Sequence, residues 1–198
     1  MNRPEPNLTP EIDQHAIDRM FDITGLRVFI PGGYGAIGEA TAIAMARRGA
    51  AVAIAGRSGE RAQALATRIT TAGDRAVGFE LDARDIGQIA ETTARVVEVF
   101  GGIDVLVNCV GIQREQPLLD VTEEAFDEIY QTNLKSGMFL GQSVARQQIA
   151  QGGGGRQIHL LSVRSQLGLR GRGYSAYCAT KGGLAMLVKQ HAMELAPH

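Results

Sequence analysis

The chain has 198 residues and a mass of 21.1 kDa, the size of one ordinary domain. Hydrophobic residues at 44% and charged residues at 21% exclude a largely disordered chain, and a net charge of −1 excludes the global positive field that gathers nucleic acid or anionic lipid. The two cysteines are too few for a secreted disulfide framework and have no metal-type spacing, and no run approaches the roughly 18 apolar residues of a membrane span. We therefore expect a cytoplasmic protein that binds no metal, nucleic acid or membrane.

The first 22 residues differ in composition from the rest of the chain. They carry three of the six prolines and show no sustained apolar period. This pattern predicts a mobile N-terminal tail over residues 1–22 and a folded domain over residues 23–198.

From residue 23 onward, short apolar runs alternate with segments of helical period. The predicted strands are 27–30, 51–55, 76–81, 105–108 and 158–161, and the predicted helices are 36–48, 61–72, 86–100, 123–150 and 176–195. Thr122, followed by two glutamates, predicts a helix N-cap. Strict alternation of strand and helix predicts an α/β fold, a doubly wound parallel sheet of the Rossmann-like kind.

A glycine-rich loop follows the first predicted strand directly. Gly33, Gly35 and Gly38 match the pattern G-x-G-x-x-G between a strand and a helix. Glycine lets the backbone approach a pyrophosphate, whose charge faces free N–H groups at the helix N-terminus. The loop is therefore a candidate dinucleotide site, and Gly32, Tyr34 and Ile37 complete it. The alternative is a turn that only packs the helix on the strand.

The end of the second strand decides which ribose a dinucleotide fold accepts. An acid there binds a free 2′-hydroxyl, whereas an arginine pairs with a 2′-phosphate. Here Gly56 and Arg57 follow the strand without an acid, which favours NADP over NAD unless Arg57 is only a solvated surface residue. Asp82 and Ala83 end the third strand, where Asp82 is a candidate partner for adenine or an ordinary strand-end residue.

Tyr177 and Lys181 lie four residues apart in the last predicted helix, so both side chains share one face. An ordinary tyrosine has a pKa of about 10, so only about one in a thousand is ionised at pH 7. A close ammonium stabilises the phenolate, which makes the pair a candidate acid–base device. The alternative is a solvated pair on the helix surface.

Five segments together resemble the short-chain dehydrogenase/reductase family in order and spacing. They are the loop 32–38, the stretch 104–111, Asn133, Ser162 and the segment 177–181, and the likeness covers residues 22–198. Segments 111–114 and 162–168 resemble the gluconate 5-dehydrogenase type within that family. Ala36 and Pro31 depart from the family pattern, which has glycine and threonine there.

The resemblance implies a role for each matching residue. Tyr177 would exchange a proton with the substrate oxygen, and Lys181 would favour the phenolate and hold the nicotinamide ribose. Ser162, or Ser165 in its place, would hydrogen-bond the substrate oxygen, and Asn133 would interrupt its helix and hold a proton-relaying water. Asn108 and Gly111 would line the cofactor site.

These residues predict an NAD(P)-dependent oxidoreductase that interconverts a secondary alcohol and a ketone on a small polar substrate. Arg114 and Arg164 are candidate partners for the carboxylate of a sugar acid such as gluconate, or are solvated loop residues. The resemblance also implies a homo-oligomer, a dimer or a tetramer. The alternative function is nucleotide binding without turnover.

Family members usually continue past the last predicted helix into further strands. The resemblance therefore implies a C-terminally truncated domain whose fifth strand is an open edge. We expect the 198-residue form to be poorly soluble or weakly active, and about 50 to 60 further residues to rescue it.

Overall fold

The computed structural model describes residues 20–198, which form one parallel sheet covered by helices on both faces. The strands are β1 (Arg27–Pro31), β2 (Ala51–Gly56), β3 (Arg75–Glu80), β4 (Val105–Asn108) and β5 (Arg156–His159). They pair in the order β3-β2-β1-β4-β5, and every pairing is parallel. The predicted doubly wound sheet is confirmed, with its switch point between β1 and β4.

Within residues 21–198, six α-helices connect or flank these strands: α1 (Ala36–Arg47), α2 (Gly59–Thr71), α3 (Ile86–Phe100), α4 (Glu123–Tyr130), α5 (Ser136–Gln151) and α6 (Ser175–Leu195). Short 3-10 turns cover Leu118–Asp120 and Val163–Ser165. Thr122 caps α4 as predicted, because its side chain accepts a hydrogen bond from the Ala125 N–H.

Both faces of the central strands β1, β2 and β4 are buried, as their continuous apolar sequences require. Alternate residues of β2 point to opposite sides, with Ala53 packing in a cluster that includes α3 and α5 and Ile54 in a cluster that includes α1 and α2. The carboxyl ends of β1, β2, β3 and β4 therefore form one rigid edge, and the loops that follow them are held close together.

Two element predictions were wrong. The fifth strand spans Arg156–His159 and not residues 158–161, because its register pairs His159 with Asn108, where β4 ends. The predicted helix 123–150 is not continuous. A π-helical turn at Gln131–Lys135 separates α4 from α5, and Asn133, which the family resemblance expected to interrupt the helix, is buried within that turn.

The edge position expected for β5 is also present, since its one strand neighbour among residues 20–198 is β4. Ile158 remains 50% exposed and Leu161 is 38% exposed, whereas Leu160 packs against the cluster beside α1 and α2. Residues 1–19 of the predicted tail lie outside the described residues, so its boundary stays a prediction.

Candidate active site

The glycine loop after β1 lies against the end of β4. Gly32 has a φ of +74°, and a Cβ added to it would stand 2.7 Å from the carbonyl carbon of Cys109. A Cβ on Gly38 would overlap the carbonyl oxygen of Gly32. Glycine is therefore required at both positions for the loop to fold back tightly on the sheet.

The same loop leaves the start of α1 open. Gly35 is the N-cap residue with an extended backbone, and no side chain of the described residues caps the helix. The first N–H groups of a helix have no intrahelical partners and carry partial positive charge. This open N-terminus beside a cradle that a Cβ would fill fits a pyrophosphate. Ala36 and Ile37 are both exposed there.

A groove of about 250 Å³ runs from this loop across the ends of β2, β3 and β4. Its walls bring together seven of the residues predicted to bind cofactor, namely Gly32, Tyr34, Gly35, Arg57, Asp82, Ala83 and Gly111. Gly33, Gly38 and Asn108 are buried beneath it, and Ile37, Tyr177 and Lys181 lie outside its lining. The predicted set therefore divides into residues that line the groove, buried residues that support it and three residues outside the lining.

Asp82 has a partner in the groove wall that the sequence analysis missed. Arg84 donates to its carboxylate through Nη2 at 2.6 Å and through its backbone N–H at 3.0 Å. Arg84 holds the pKa of Asp82 below its usual range, mainly through these side-chain hydrogen bonds. Arg84 lies only two residues after Asp82 in the sequence, and this spacing could have predicted the pair. In the groove wall, the Asp82 carboxylate is therefore already paired with an arginine.

Beside Gly111, which lines the groove, α6 carries the predicted acid–base pair. Lys181 is only 4% exposed, and its Nζ donates to the Leu160 carbonyl oxygen at 2.8 Å. The same Nζ lies 5.9 Å from the centre of the Tyr177 ring. Burial lowers the pKa of Lys181 from its ordinary value. The ammonium is thus anchored beside the phenol by the end of the fifth strand.

Asn133 reaches the same place from the π-helical turn. Its Oδ1 accepts from the Ile112 N–H at 2.8 Å, and its Nδ2 donates to the Ile112 carbonyl oxygen at 2.9 Å. A Cβ added to Gly111 would meet Lys181 Nζ at 3.4 Å and Asn133 Oδ1 at 3.5 Å. The lysine and the asparagine therefore converge on Gly111, and glycine leaves the space between them open.

Thr180 joins the turn to the helix, and the sequence analysis did not single it out. Its Oγ1 donates to the Tyr177 carbonyl oxygen at 2.9 Å and accepts from Asn133 Nδ2 at 3.3 Å. The hydroxyl is buried and lies between the two predicted catalytic elements. Its position directly before Lys181 in the helix was a signal that could have found it.

Ser162 and Ser165 use their hydroxyls differently. Ser162 Oγ accepts from the Arg164 N–H at 3.1 Å, which leaves the hydroxyl hydrogen free to be donated. Ser165 Oγ donates at 2.7 Å to the Ser162 carbonyl oxygen. Of the two serines, Ser162 retains a donor for a substrate oxygen.

The two predicted substrate arginines have partners within the chain. Arg114 Nε pairs with Glu128 Oε2 on α4. Arg164 Nη1 donates to the carbonyl oxygens of Leu167 at 3.2 Å and Gly168 at 3.0 Å. These contacts use only Nε of Arg114 and Nη1 of Arg164, and the charge of Arg114 is already paired with that of Glu128.

His159 supports the end of β4. Its Nδ1 lies 3.1 Å from Asn108 Nδ2, and Asn108 Oδ1 accepts from the Val110 N–H at 3.0 Å. Burial lowers the pKa of His159 to about 4, so the ring is neutral at pH 7 and Nδ1 can accept from the amide. Burial also raises the pKa of Cys109 to about 11, which keeps that thiol protonated.

Comparison with known proteins decides the family. The model of the family described as short chain dehydrogenase matches residues 27–198. The chain belongs to the short-chain dehydrogenase family. It is therefore an NAD(P)-dependent oxidoreductase, as the sequence predicted.

Two relatives within this family act on polyol or sugar substrates by name. Sorbitol dehydrogenase of Cereibacter sphaeroides is 34% identical, over 89% of this chain and 67% of its own length. Gluconate 5-dehydrogenase of Gluconobacter oxydans is 32% identical, over 90% of this chain and 69% of its own length. The chain thus spans about two thirds of each relative.

Solved structures of family members share the fold. A short-chain type dehydrogenase/reductase from Mycobacterium marinum has a TM-score of 0.88 and 33% identity, over 92% of this chain and 74% of its own. A short chain dehydrogenase from Burkholderia cenocepacia, solved in complex with NADP, has a TM-score of 0.82 and 34% identity, over 89% of this chain and 71% of its own.

Residues 20–198 contain neither a membrane-spanning helix nor a metal-ligand cluster. No helix in that range is long and apolar enough to cross a membrane. No cluster of three or more His, Cys, Asp or Glu side chains in the same range is arranged to hold a metal ion.

Proposed function

We propose that this short-chain dehydrogenase interconverts a secondary alcohol and a ketone on a small polyol or sugar-derived substrate, with NADP preferred over NAD. The observation that carries the proposal is the convergence of Lys181 and Asn133 on Gly111, which lines the groove, with the Tyr177 ring centre 5.9 Å from Lys181 Nζ. Pure nucleotide binding would not need a buried lysine beside a tyrosine.

Tyr177 is the proton-transfer residue in this proposal. Its phenol gives a proton to the substrate oxygen during reduction and takes one during oxidation. Lys181 favours the phenolate, because a positive charge close to a phenol stabilises its ionised form. The Leu160 carbonyl fixes the ammonium in place, so the charge does not drift away from the tyrosine. Bound NAD(P) supplies the acceptor or donor of the hydride.

Ser162 and Asn133 complete the proposed tetrad. The free hydroxyl hydrogen of Ser162 binds the substrate oxygen on which negative charge develops. The Asn133 side chain makes two hydrogen bonds to the Ile112 backbone, which hold the π-helical turn next to Lys181. A water bound to this turn would connect Lys181 with solvent.

Three parts of the groove wall would each contact a different part of the cofactor. The glycine loop and the start of α1 would hold the pyrophosphate, and Gly111 and Lys181 would flank the nicotinamide ribose. Asp82 and Ala83 would border the adenine. Arg57, which is exposed and lies on the groove wall, would pair with the 2′-phosphate. This position of Arg57 supports the preference for NADP.

A polyol or its ketone is the first substrate candidate. It rests on the names of relatives, which include sorbitol dehydrogenase and the L-xylulose reductase of Mesocricetus auratus. The ion pair with Glu128 already compensates the charge of Arg114, which counts against Arg114 as a carboxylate-binding residue. A sugar acid such as gluconate is the second candidate, supported by the likeness to gluconate 5-dehydrogenase.

Replacing Tyr177 by Phe tests the proposal. We expect the variant to bind NADPH like the wild type but to lose at least about 1,000-fold of its polyol-dependent turnover, because the phenol is the proton carrier. Tyr174→Phe is the matched control. The Tyr174 ring packs edge-on against the Tyr177 ring, with 6.4 Å between ring centres, but it is the Tyr177 ring that lies beside Lys181 Nζ. A wild type that binds NADPH yet turns over no polyol, sugar acid or ketose would instead support nucleotide binding without turnover.

We also propose a cytoplasmic homo-oligomer. Phe126 on α4 and Met186 and Met193 on α6 are large exposed apolar residues, which supports contact between subunits through α4 and α6. The two free cysteines fit a reducing compartment. Light scattering after size exclusion would give a dimer or tetramer mass, and a monomer across the working concentration range would contradict the assembly.

A further inference from the structure

Tyr34, in the glycine loop, extends to the end of the second strand. Its hydroxyl oxygen accepts a hydrogen bond from the Ser58 N–H at 2.9 Å. Its ring lies over Gly56 so closely that a Cβ there would overlap it. Tyr34 therefore fills the space that a side chain at residue 56 would take.

This placement bears on the ribose end of the cofactor site. The carboxyl end of the second strand is where an acid selects a free 2′-hydroxyl in dinucleotide folds. With the ring of Tyr34 over Gly56, an acidic side chain at that residue would displace the tyrosine. The residue that stands at the 2′ position is thus a phenol and not a carboxylate, and the groove wall contains both Tyr34 and Arg57.

The hydroxyl of Tyr34 can still donate a hydrogen bond. A phenol can accept and donate, and the bond from the Ser58 N–H uses it as an acceptor. Its own hydrogen remains available. The Arg61 guanidinium lies 4.5 Å from the centre of the ring, and a cation over an aromatic face draws charge from it. Both contacts make this hydroxyl a better donor toward an anion.

We propose that Tyr34 is a specificity-determining residue, whose hydroxyl donates a hydrogen bond to the 2′-phosphate of the cofactor beside Arg57. This inference rests on the proposed preference for NADP and adds a second contact to it. A hydrogen bond to a charged group is about twice as strong as a neutral one, so the contact favours the phosphate over a 2′-hydroxyl. Tyr34 thus takes the place of the acid and reverses its selectivity.

The test uses 2′,5′-ADP and 5′-AMP, which differ in the 2′-phosphate and carry no nicotinamide. Calorimetric titration of the full chain measures both dissociation constants without any turnover. We expect Tyr34→Phe to raise the dissociation constant of 2′,5′-ADP by about ten-fold or more and that of 5′-AMP by less than about two-fold. Phenylalanine keeps the ring over Gly56, and retained 5′-AMP binding shows that the variant is folded.

The matched control is Tyr130→Phe, which removes an exposed phenol from α4. It should leave both constants unchanged. If the wild type prefers 2′,5′-ADP but Tyr34→Phe keeps that preference within two-fold, or gains preference, the role of Tyr34 is refuted while the NADP proposal stands. If the wild type itself binds 5′-AMP as tightly as 2′,5′-ADP, both the NADP preference and the role of Tyr34 are refuted.

Discussion

His159 gives the protein a pH-dependent stability whose size follows from its burial. Its pKa is lowered from an ordinary 6.5 to about 4, first by burial and then by the charges of His191 and Lys181. A histidine with a lowered folded pKa contributes its full stability above pH 6.5, and this is lost as the pH falls toward 4. Linkage gives a loss of about 1 kcal/mol at pH 5.5 and about 2–3 kcal/mol at pH 4.5.

His159→Gln removes this titration and keeps a polar side chain near Asn108. Urea unfolding followed by circular dichroism at pH 7.5, 6.5, 5.5 and 4.5 should show the free energy of unfolding falling more steeply in the wild type than in the variant. Burial also lowers the pKa of His191 from an ordinary 6.5, but His191 is present in both proteins, so the difference between their curves reports His159; the lowered pKa values of Asp82 and Asp104 act mainly below 4.5. His198→Gln, at an exposed position, is the control and should match the wild type. Parallel curves for wild type and His159→Gln would refute the reasoning.

Two further variants test the loop and the helix junction. Gly32→Ala should destabilise the fold by more than about 2 kcal/mol and abolish NADPH binding, because it adds a clash with Cys109 to the strain of a positive φ. Gly73 has a φ of +94° and nothing within 4 Å of an added Cβ, so Gly73→Ala should lose only the stability that backbone strain costs. Equal losses of unfolding free energy in Gly32→Ala and Gly73→Ala would contradict the clash with Cys109. Thr180→Val should lower kcat about ten-fold with KM nearly unchanged, since it removes the bond between Asn133 and α6. Thr180→Ser should keep kcat near the wild-type value. If the serine variant is as impaired as the valine variant, the hydroxyl of Thr180 does not have the proposed role.

Local signals were sufficient for most of the fold. The alternation of apolar runs and helical segments predicted the five parallel strands, and the hydroxyl of Thr122 predicted the start of α4. The fifth strand was misplaced by two residues because its apolar residues, Leu160 and Leu161, follow the strand itself. Arg156 and Gln157 begin that strand for a reason that lies elsewhere, namely pairing with Val105 and Leu106 of β4.

The candidate site was predictable where one segment carries the chemistry. The glycine loop and the pair of Tyr177 and Lys181 each follow from spacing along one element. Contacts between distant segments did not follow from it. Glu128 pairs with Arg114 across a loop and a helix, and Ser58 bonds Tyr34 from the next strand end. These contacts depend on how the strand ends are brought together by the sheet.

In the proposed function, Tyr177 transfers a proton in an NADP-dependent oxidation of a polyol. The most direct measurement is the rate of NADPH formation at 340 nm with NADP and sorbitol, for the wild type and Tyr177→Phe at equal cofactor occupancy. The proposal predicts measurable wild-type turnover and a loss of at least about 1,000-fold in the variant. Equal rates for the two proteins would contradict it.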